Sequence, residues 1–167
     1  MTTLVLDTET TGLGDDAEIL EIGICDLNSN IIYDQRIKPT VNEWHGAQLI
    51  HGISKEDVKN CPTFKDIEEK LKSILIGNEI IIFNSDYDIR LLSQSAKKYD
   101  LNTDWIRDLD VKCCMYASGD FWPDHANFYG GMKLVKAIDL AGISFIGKPH
   151  SAISDALSTA EVWKHIN

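Results

Sequence analysis

The stretch from Ile80 to Asp88 limits the fold more than any other. Ile80-Ile81-Ile82-Phe83 is a continuous apolar run without alternation, the pattern of a strand covered on both faces. Two covered faces require helices on both sides of a sheet, and the sequence supplies them. Phe64, Ile67, Leu71, Ile74 and Leu75 recur at helical spacing before the run, and Ile89, Leu92 and Ala96 do so after it. Leu134, Ala137, Ile138 and Ala141 form another face closed by Gly142, and a last helix is expected from about Ser151 to Trp163. Upstream, Thr3 to Asp7 is β-prone and stops at Thr10-Thr11-Gly12-Leu13-Gly14. Ile19 to Leu27 and Asn30 to Ile37 flank Asn28-Ser29-Asn30 as two strands of a hairpin. A hairpin, then a buried central strand, then alternating helices, gives a mixed α/β sheet. The 167 residues suffice for one sizeable core, and no repeat or linker-like tract divides them, so a single domain over 1–167 is expected.

Charge narrows the partners. The chain has 16 basic and 26 acidic side chains and a formal net charge of −10. An extended basic clamp on nucleic acid is thereby excluded, and any polyanion must be met by a local device. Residues 1–30 hold seven acids and no Lys or Arg, whereas residues 131–167 hold four Lys against three acids. Cys25, Cys61, Cys113 and Cys114 form no CxxC pair or zinc-module spacing, and all four are expected to be reduced thiols. No apolar run approaches membrane-spanning length and the first residues lack a signal-peptide apolar region. A cytoplasmic protein with no membrane partner is expected.

Three short segments carry chemistry. Asp7 and Glu9 are two apart at the end of a strand, so both carboxylates share one face. Such a pair repels itself unless a cation lies between, and hard oxygen donors suit Mg²⁺ or Mn²⁺; a solvated strand end would show the same two residues. Asn84-Ser85-Asp86-Tyr87-Asp88 follows the buried strand. Asp86 is placed to cap the next helix, and Asp88 sits one turn in, either aimed across the sheet end or serving the helix dipole alone. In Pro149-His150-Ser151-Ala152-Ile153-Ser154-Asp155, a five-residue helical step would set His150 and Asp155 ~140° apart. His150 therefore fits the loop ahead of the helix. Asp155 lies among Ala152, Ile153, Ala156 and Leu157, which favours an inward over a surface position.

Taken together and in this order, these segments resemble the DEDDh family of 3′–5′ exonucleases of the DnaQ-like superfamily. The matching pieces are Asp7-Thr8-Glu9-Thr10-Thr11-Gly12-Leu13, His51-Gly52-Ile53, Asn84 through Asp88, and His150 with Asp155. The five-residue His-to-Asp step is that of the histidine branch. Ile37-Lys38-Pro39, Ala47 through Ile53, Cys114-Met115, Trp122-Pro123 and His150-Ser151-Ala152 are similar to the exonuclease X group within it. Asp86-Tyr87 departs from the pattern, where a neutral residue and Phe are more usual.

The resemblance implies a ribonuclease-H-like fold with a mixed five-stranded sheet flanked by helices and the carboxylates gathered at one sheet end. It implies that Asp7, Glu9, Asp88 and Asp155 hold two divalent metal ions, Mg²⁺ or Mn²⁺, and that His150 is the general base toward the attacking water. The implied reaction is metal-dependent 3′–5′ exodeoxyribonuclease hydrolysis releasing nucleoside 5′-monophosphates. Partners would be nucleic acid 3′ ends, DNA favoured, single-stranded or duplex, with polymerase or repair proteins as further partners. Thr10, Gly12 and Leu13 are candidates for gripping the terminal nucleotide, with Leu13 as an apolar wedge. Ile53 is expected beneath a base, with His51 and Asn84 supporting; core packing is the competing role for Leu13 and Ile53. Lys133, Lys136 and Lys148 would meet backbone phosphates or form a solvated face. The aromatic segment from Asp120 to Tyr129 would close a core or stack bases. An RNA-trimming enzyme of the same family and a polymerase-associated proofreading or binding subunit are the alternatives; a two-metal phosphatase would not shorten a strand.

Overall fold

A computed structural model describes residues 1–167. Three strands come first: β1 (Thr3–Thr10), β2 (Ile19–Asp26) and β3 (Ile31–Arg36). Helices α1 (His45–His51), α2 (Lys55–Val58) and α3 (Phe64–Leu75) lead to β4 (Glu79–Ile82) and α4 (Ser85–Lys97). Then follow α5 (Asp104–Arg107), β5 (Asp110–Cys113), α6 (Cys114–Phe121), α7 (Leu134–Ala141) and α8 (Ala152–Ile166). The sheet order is β3-β2-β1-β4-β5, antiparallel on the hairpin side and parallel from β1 through β4 to β5. This is the mixed sheet expected from the apolar pattern, with the five strands that the family resemblance implies.

The apolar run of β4 divides its side chains between two cores. Ile80 and Ile82 pack with Leu4, Leu6, Leu71 and Leu91 on one face. Ile81 and Phe83 pack with Val5, Ala137, Ala156 and Ala160 on the other, as the period of two requires. The helical spacing from Phe64 to Leu75 is realised as α3, which Thr63 and Asp66 open with a capping box. α7 ends where Gly142 takes a left-handed φ of 67°. All four cysteines are free thiols.

One glycine sets the geometry of the α8 side. A Cβ on Gly23 would lie 2.3 Å from the backbone nitrogen of Ile153 and 2.5 Å from the carbonyl carbon of Ala152. Only a residue without a side chain lets the first turn of α8 rest directly on β2. Gly23 is also the register partner of Asp7 on β1. The last helix is thereby seated against the end of the sheet that carries the acidic pair.

Candidate active site

β1 and β4 run parallel and their pairing ends at Leu6 and Ile82, so Asp7 and the Asn84–Asp88 segment leave the same edge. Asp7, Glu9, Asp88, His150 and Asp155 all line one cavity of about 220 Å³, with Thr8, Phe83, Asn84, Tyr87 and Leu134. The structure thus brings together the five residues singled out by spacing. Glu9, His150 and Asp155 approach most closely, with one ligating atom from each within 4.8 Å of the others.

Each side chain is held by a local device. Asp88 is 4% exposed and its Oδ1 accepts a hydrogen bond from the Thr8 hydroxyl at 2.7 Å. It sits in the first turn of α4, as expected, but the cap of that helix is Asn84 rather than Asp86. The chain leaves β4 early enough for Asn84 to take the cap, which places Asp86 inside the turn. Asp155 accepts the backbone N–H of His150 at 3.3 Å. His150 stands just before α8 with a left-handed φ of 62°, an unfavourable conformation for a residue with a Cβ that must be held by its surroundings.

The electrostatics of the cavity are one-sided. Burial pushes Asp7 well above the usual carboxylate range, and the charges of Asp88, Asp155, Glu9 and Glu21 push it further. Glu9 is pushed up to about 8 by burial, then by Asp155, Glu21 and Asp88. Burial lifts Asp88 to about 7 against the opposing Thr8 hydrogen bond. Asp155 is raised to about 6 by burial, with His150 pulling the other way. None of these four acids has a Lys or Arg in ion-pair range. Four crowded carboxylates lacking a cation, all hard oxygen donors, are the donor set a divalent ion satisfies.

Spacing did not single out Glu21. It is 6% exposed, opposite Glu9 in the β1–β2 register. It accepts the N–H of Ala152 at 2.9 Å, the Ser151 hydroxyl at 3.4 Å and Arg36 Nε at 3.1 Å. Glu21 therefore ties the start of α8, and the His150 loop before it, to the sheet. The signal was an acid between Leu20 and Ile22 in an otherwise apolar strand.

A second, larger cavity of about 670 Å³ adjoins the first and shares Glu9, Asn84 and Tyr87 with it. Thr10, Gly12, Leu13, His51 and Asn84 line it. Leu13 is 81% exposed, which removes core packing as its role. Its loop is latched to α4: Arg90 donates to the carbonyls of Leu13 and Gly14, and Gln94 to those of Gly14 and Ala17. The Tyr87 hydroxyl donates to the Gly12 carbonyl at 2.9 Å and lies 2.6 Å from Thr10 Oγ1. His51 is buried; its Nδ1 accepts from Ile53 N–H at 3.0 Å. That fixes the proton on Nε2, which donates to the Thr10 carbonyl at 3.1 Å. Ile53 does not reach the cavity. It is 2% exposed and packs with Leu20, Trp44 and Val58, so the expected place beneath a base is corrected to a small core under α1.

The sequence model of the RNase_T family, described as exonuclease, matches residues 4–163. The chain belongs to the RNase_T exonuclease family. It is 38% identical over 161 residues to an uncharacterized exonuclease, CP81, of Escherichia phage 186, covering 93% of this chain and 83% of that one. It is 34% identical over 174 residues to the DNA polymerase III subunit epsilon of Haemophilus influenzae, covering 96% of this chain and 65% of that subunit. Among solved structures, exonuclease X in complex with 5′-overhanging duplex DNA superposes with a TM-score of 0.74 at 20% identity, over 98% of this chain and 90% of that one. The nuclease domain of 3′hExo, a DEDDh family member bound to rAMP, gives 0.72 at 17% identity, over 96% and 88%. These two likenesses establish the fold. The family match and the phage relative make the chain a nuclease of the exonuclease kind. No helix is long and apolar enough to cross a membrane.

Proposed function

We propose that this exonuclease shortens DNA from its 3′ end by hydrolysis dependent on two divalent ions, Mg²⁺ or Mn²⁺, and releases nucleoside 5′-monophosphates. The observation that carries the reading is the cavity at the end of β1 and β4, where four buried or half-buried carboxylates with raised pKa values meet one histidine and no Lys or Arg. Asp7, Glu9, Asp88 and Asp155 would hold the ions. Bound there, divalent ions supply a lowered pKa for water and neutralise charge that gathers on the scissile phosphate.

The chain's own residues do the rest. His150, exposed at the rim, accepts a proton at its imidazole from the attacking water. Thr8 holds Asp88 in place, and Glu21 holds the start of α8 from which Asp155 projects. His51, Tyr87 and Arg90 brace the Thr10–Leu13 segment, so the wall meeting the terminal nucleotide is ordered before substrate arrives. The two main cores share one sheet, which supports reading residues 1–167 as one exonuclease domain. DNA rather than RNA is favoured by the DNA polymerase subunit among the relatives and by the duplex DNA bound to exonuclease X.

The test is a ladder assay on 5′-labelled single-stranded DNA, duplex DNA and RNA with Mg²⁺, Mn²⁺ or EDTA. Shortening from the 3′ end is expected for DNA, only with metal, and is lost in Asp7→Ala. Activity that survives EDTA, or an Asp7→Ala enzyme as active as the parent, would overturn the mechanism; faster RNA trimming would overturn the substrate.

A further inference from the structure

The segment between α6 and α7 presents two large rings to solvent. Phe128 is 95% exposed and Tyr129 is 81% exposed, an arrangement that costs solubility unless the rings have something to meet. Only Trp122 in this aromatic stretch packs against a core; the core-closing role fails for these two. The loop is not slack. Asn127 N–H donates to the Gly131 carbonyl at 2.7 Å, and Asn127 Oδ1 accepts from Tyr129 N–H at 2.8 Å and from Gly131 N–H at 3.2 Å. Gly130 turns the chain at φ 81°, and its carbonyl sits where a Cβ on Gly119 would be, 1.8 Å away, so the loop is pressed onto α6. The rings stand 5.3 Å apart at 86°, which leaves a face of each open.

The charge around the tip differs from that of the rest of the molecule. From His125 to Ile138 there are two lysines, Lys133 and Lys136, and no acid, with Asp124 and Asp139 just outside, in a chain of net charge −10. Lys136 lies 3.7 Å from Asp139, and Lys133 has no ion-pair partner. Both lysines line an open cavity beside the loop. Leu134, next to Lys133, is also a wall of the catalytic cavity. Tyr129 precedes Leu134 by five residues, so the tip lies at most ~18 Å from that wall. At 3.4 Å per stacked nucleotide the gap is at most about five nucleotides.

We propose that Phe128 and Tyr129, with Lys133 and Lys136, form a stacking platform for single-stranded DNA a few nucleotides upstream of the 3′ end being cut. The rings take base faces and the lysines take backbone phosphates. A sequence-tolerant contact of this kind suits an enzyme that removes every base in turn. The platform rests on the exonuclease reading above and extends it away from the reacting atoms.

The test compares Phe128→Ala/Tyr129→Ala with the parent on a 5′-labelled dT12 strand and on a dinucleotide. Binding of dT12 is read by fluorescence anisotropy with Ca²⁺ in place of Mg²⁺, and turnover of both substrates with Mg²⁺. The variant should bind dT12 ~5- to 150-fold more weakly for each stacked base lost, with dinucleotide kcat/KM within twofold of the parent. Tyr129→Trp should retain binding. Because both rings are exposed, the melting temperature should not move. Equal losses on both substrates, or unchanged dT12 binding, would each overturn the platform. A parent that binds dT12 through the rings but cleaves nothing would overturn the proposed reaction and leave the platform standing.

Discussion

Replacing Gly23 by Ala tests how tightly the site depends on the seat of α8. The new Cβ would stand 2.3 Å from Ile153 N and 2.5 Å from both Ile153 Cα and Ala152 C, all backbone atoms, whereas ordinary contact begins at 3.4 Å. No side chain can swing aside, so the start of α8 must retreat by about 1 Å. That turn carries Asp155, follows His150 directly and donates the Ala152 N–H to Glu21. Misplacement of a reacting group by ~1 Å can cost ~10²-fold in rate, and overpacking of this kind costs ~1–3 kcal/mol. For a domain of this size that is a melting-temperature loss of ~2–12 °C. Steady-state shortening of labelled single-stranded DNA, measured well below the melting transition, should show kcat reduced ~10- to 100-fold with KM changed by only a few-fold. If the melting temperature falls as expected while kcat stays within twofold of the parent, the seat of α8 does not govern the site, and the reasoning from Gly23 is refuted.

Glu21→Ala leaves the buried Ala152 N–H without its acceptor, so unfolding by urea should show a loss of ~1–3 kcal/mol; Glu21→Gln, whose amide oxygen can still accept, should recover most of that and of kcat. His150→Ala should lower turnover by ~10²–10⁴-fold with Mn²⁺ affinity by calorimetry nearly unchanged; a collapse of metal affinity would make His150 a ligand, as its closeness to Glu9 and Asp155 permits. In chelator the folded protein holds protons on Glu9, Asp88 and Asp155 up to about pH 8, 7 and 6, whereas the unfolded chain releases them near pH 4. Folding therefore binds protons across that window, and stability in EDTA should fall as pH rises from about 4 to 8. Excess Mg²⁺ should stabilise progressively more over the same rise, because its ligands must be deprotonated. A chelated protein that melts higher at pH 8 than at pH 5 would contradict the shared burial of the carboxylates.

What could be read from the chain alone was whatever rests on local period and spacing. β4 announced itself because four consecutive apolar residues serve two cores, and α7 because a helical face ends at a glycine that can turn left-handed. Asp7, Glu9, Asp88, His150 and Asp155 were legible as candidates because strand period and helix entry place them, and as one site because their order resembles the DEDDh pattern. β5 was not located: Asp110–Cys113 is a half-exposed edge strand of four residues, too short and too polar for a pattern. α1 was missed because Leu49 and Ile50 lie on its exposed side, which blurs the amphipathic signal. Ile53 and Glu21 were misjudged or overlooked for a common reason. The contacts that decide their places come from distant segments, Leu20 on β2 for Ile53 and the start of α8 for Glu21, and no local window of sequence contains those two.

The acidity of the first thirty residues divides once the structure is in view. Glu18 is consumed by the Thr40 hydroxyl and the N–H groups of Thr40 and Val41, and Asp26 by Asn28 and Asn30 in the hairpin turn. Asp7 and Glu9 line the catalytic cavity, and Glu21 stands against it. Nothing in that block offers phosphate a welcome except through bound cations, so the grip on a long strand falls to a few lysines, Lys133 and Lys136 near the aromatic loop and Lys148 beside Gly52. With Lys133, Lys136 and Lys148 as the phosphate contacts, the slope of log K against log salt on single-stranded DNA should be no steeper than about −2, a loss of ~20-fold between 50 and 200 mM salt. Stacking on Phe128 and Tyr129 does not release counterions and should persist across that range. A slope of about −4 or steeper, measured on dT12 with Ca²⁺, would require a basic track elsewhere on the surface and would contradict both the charge distribution and the assignment of the strand to this loop.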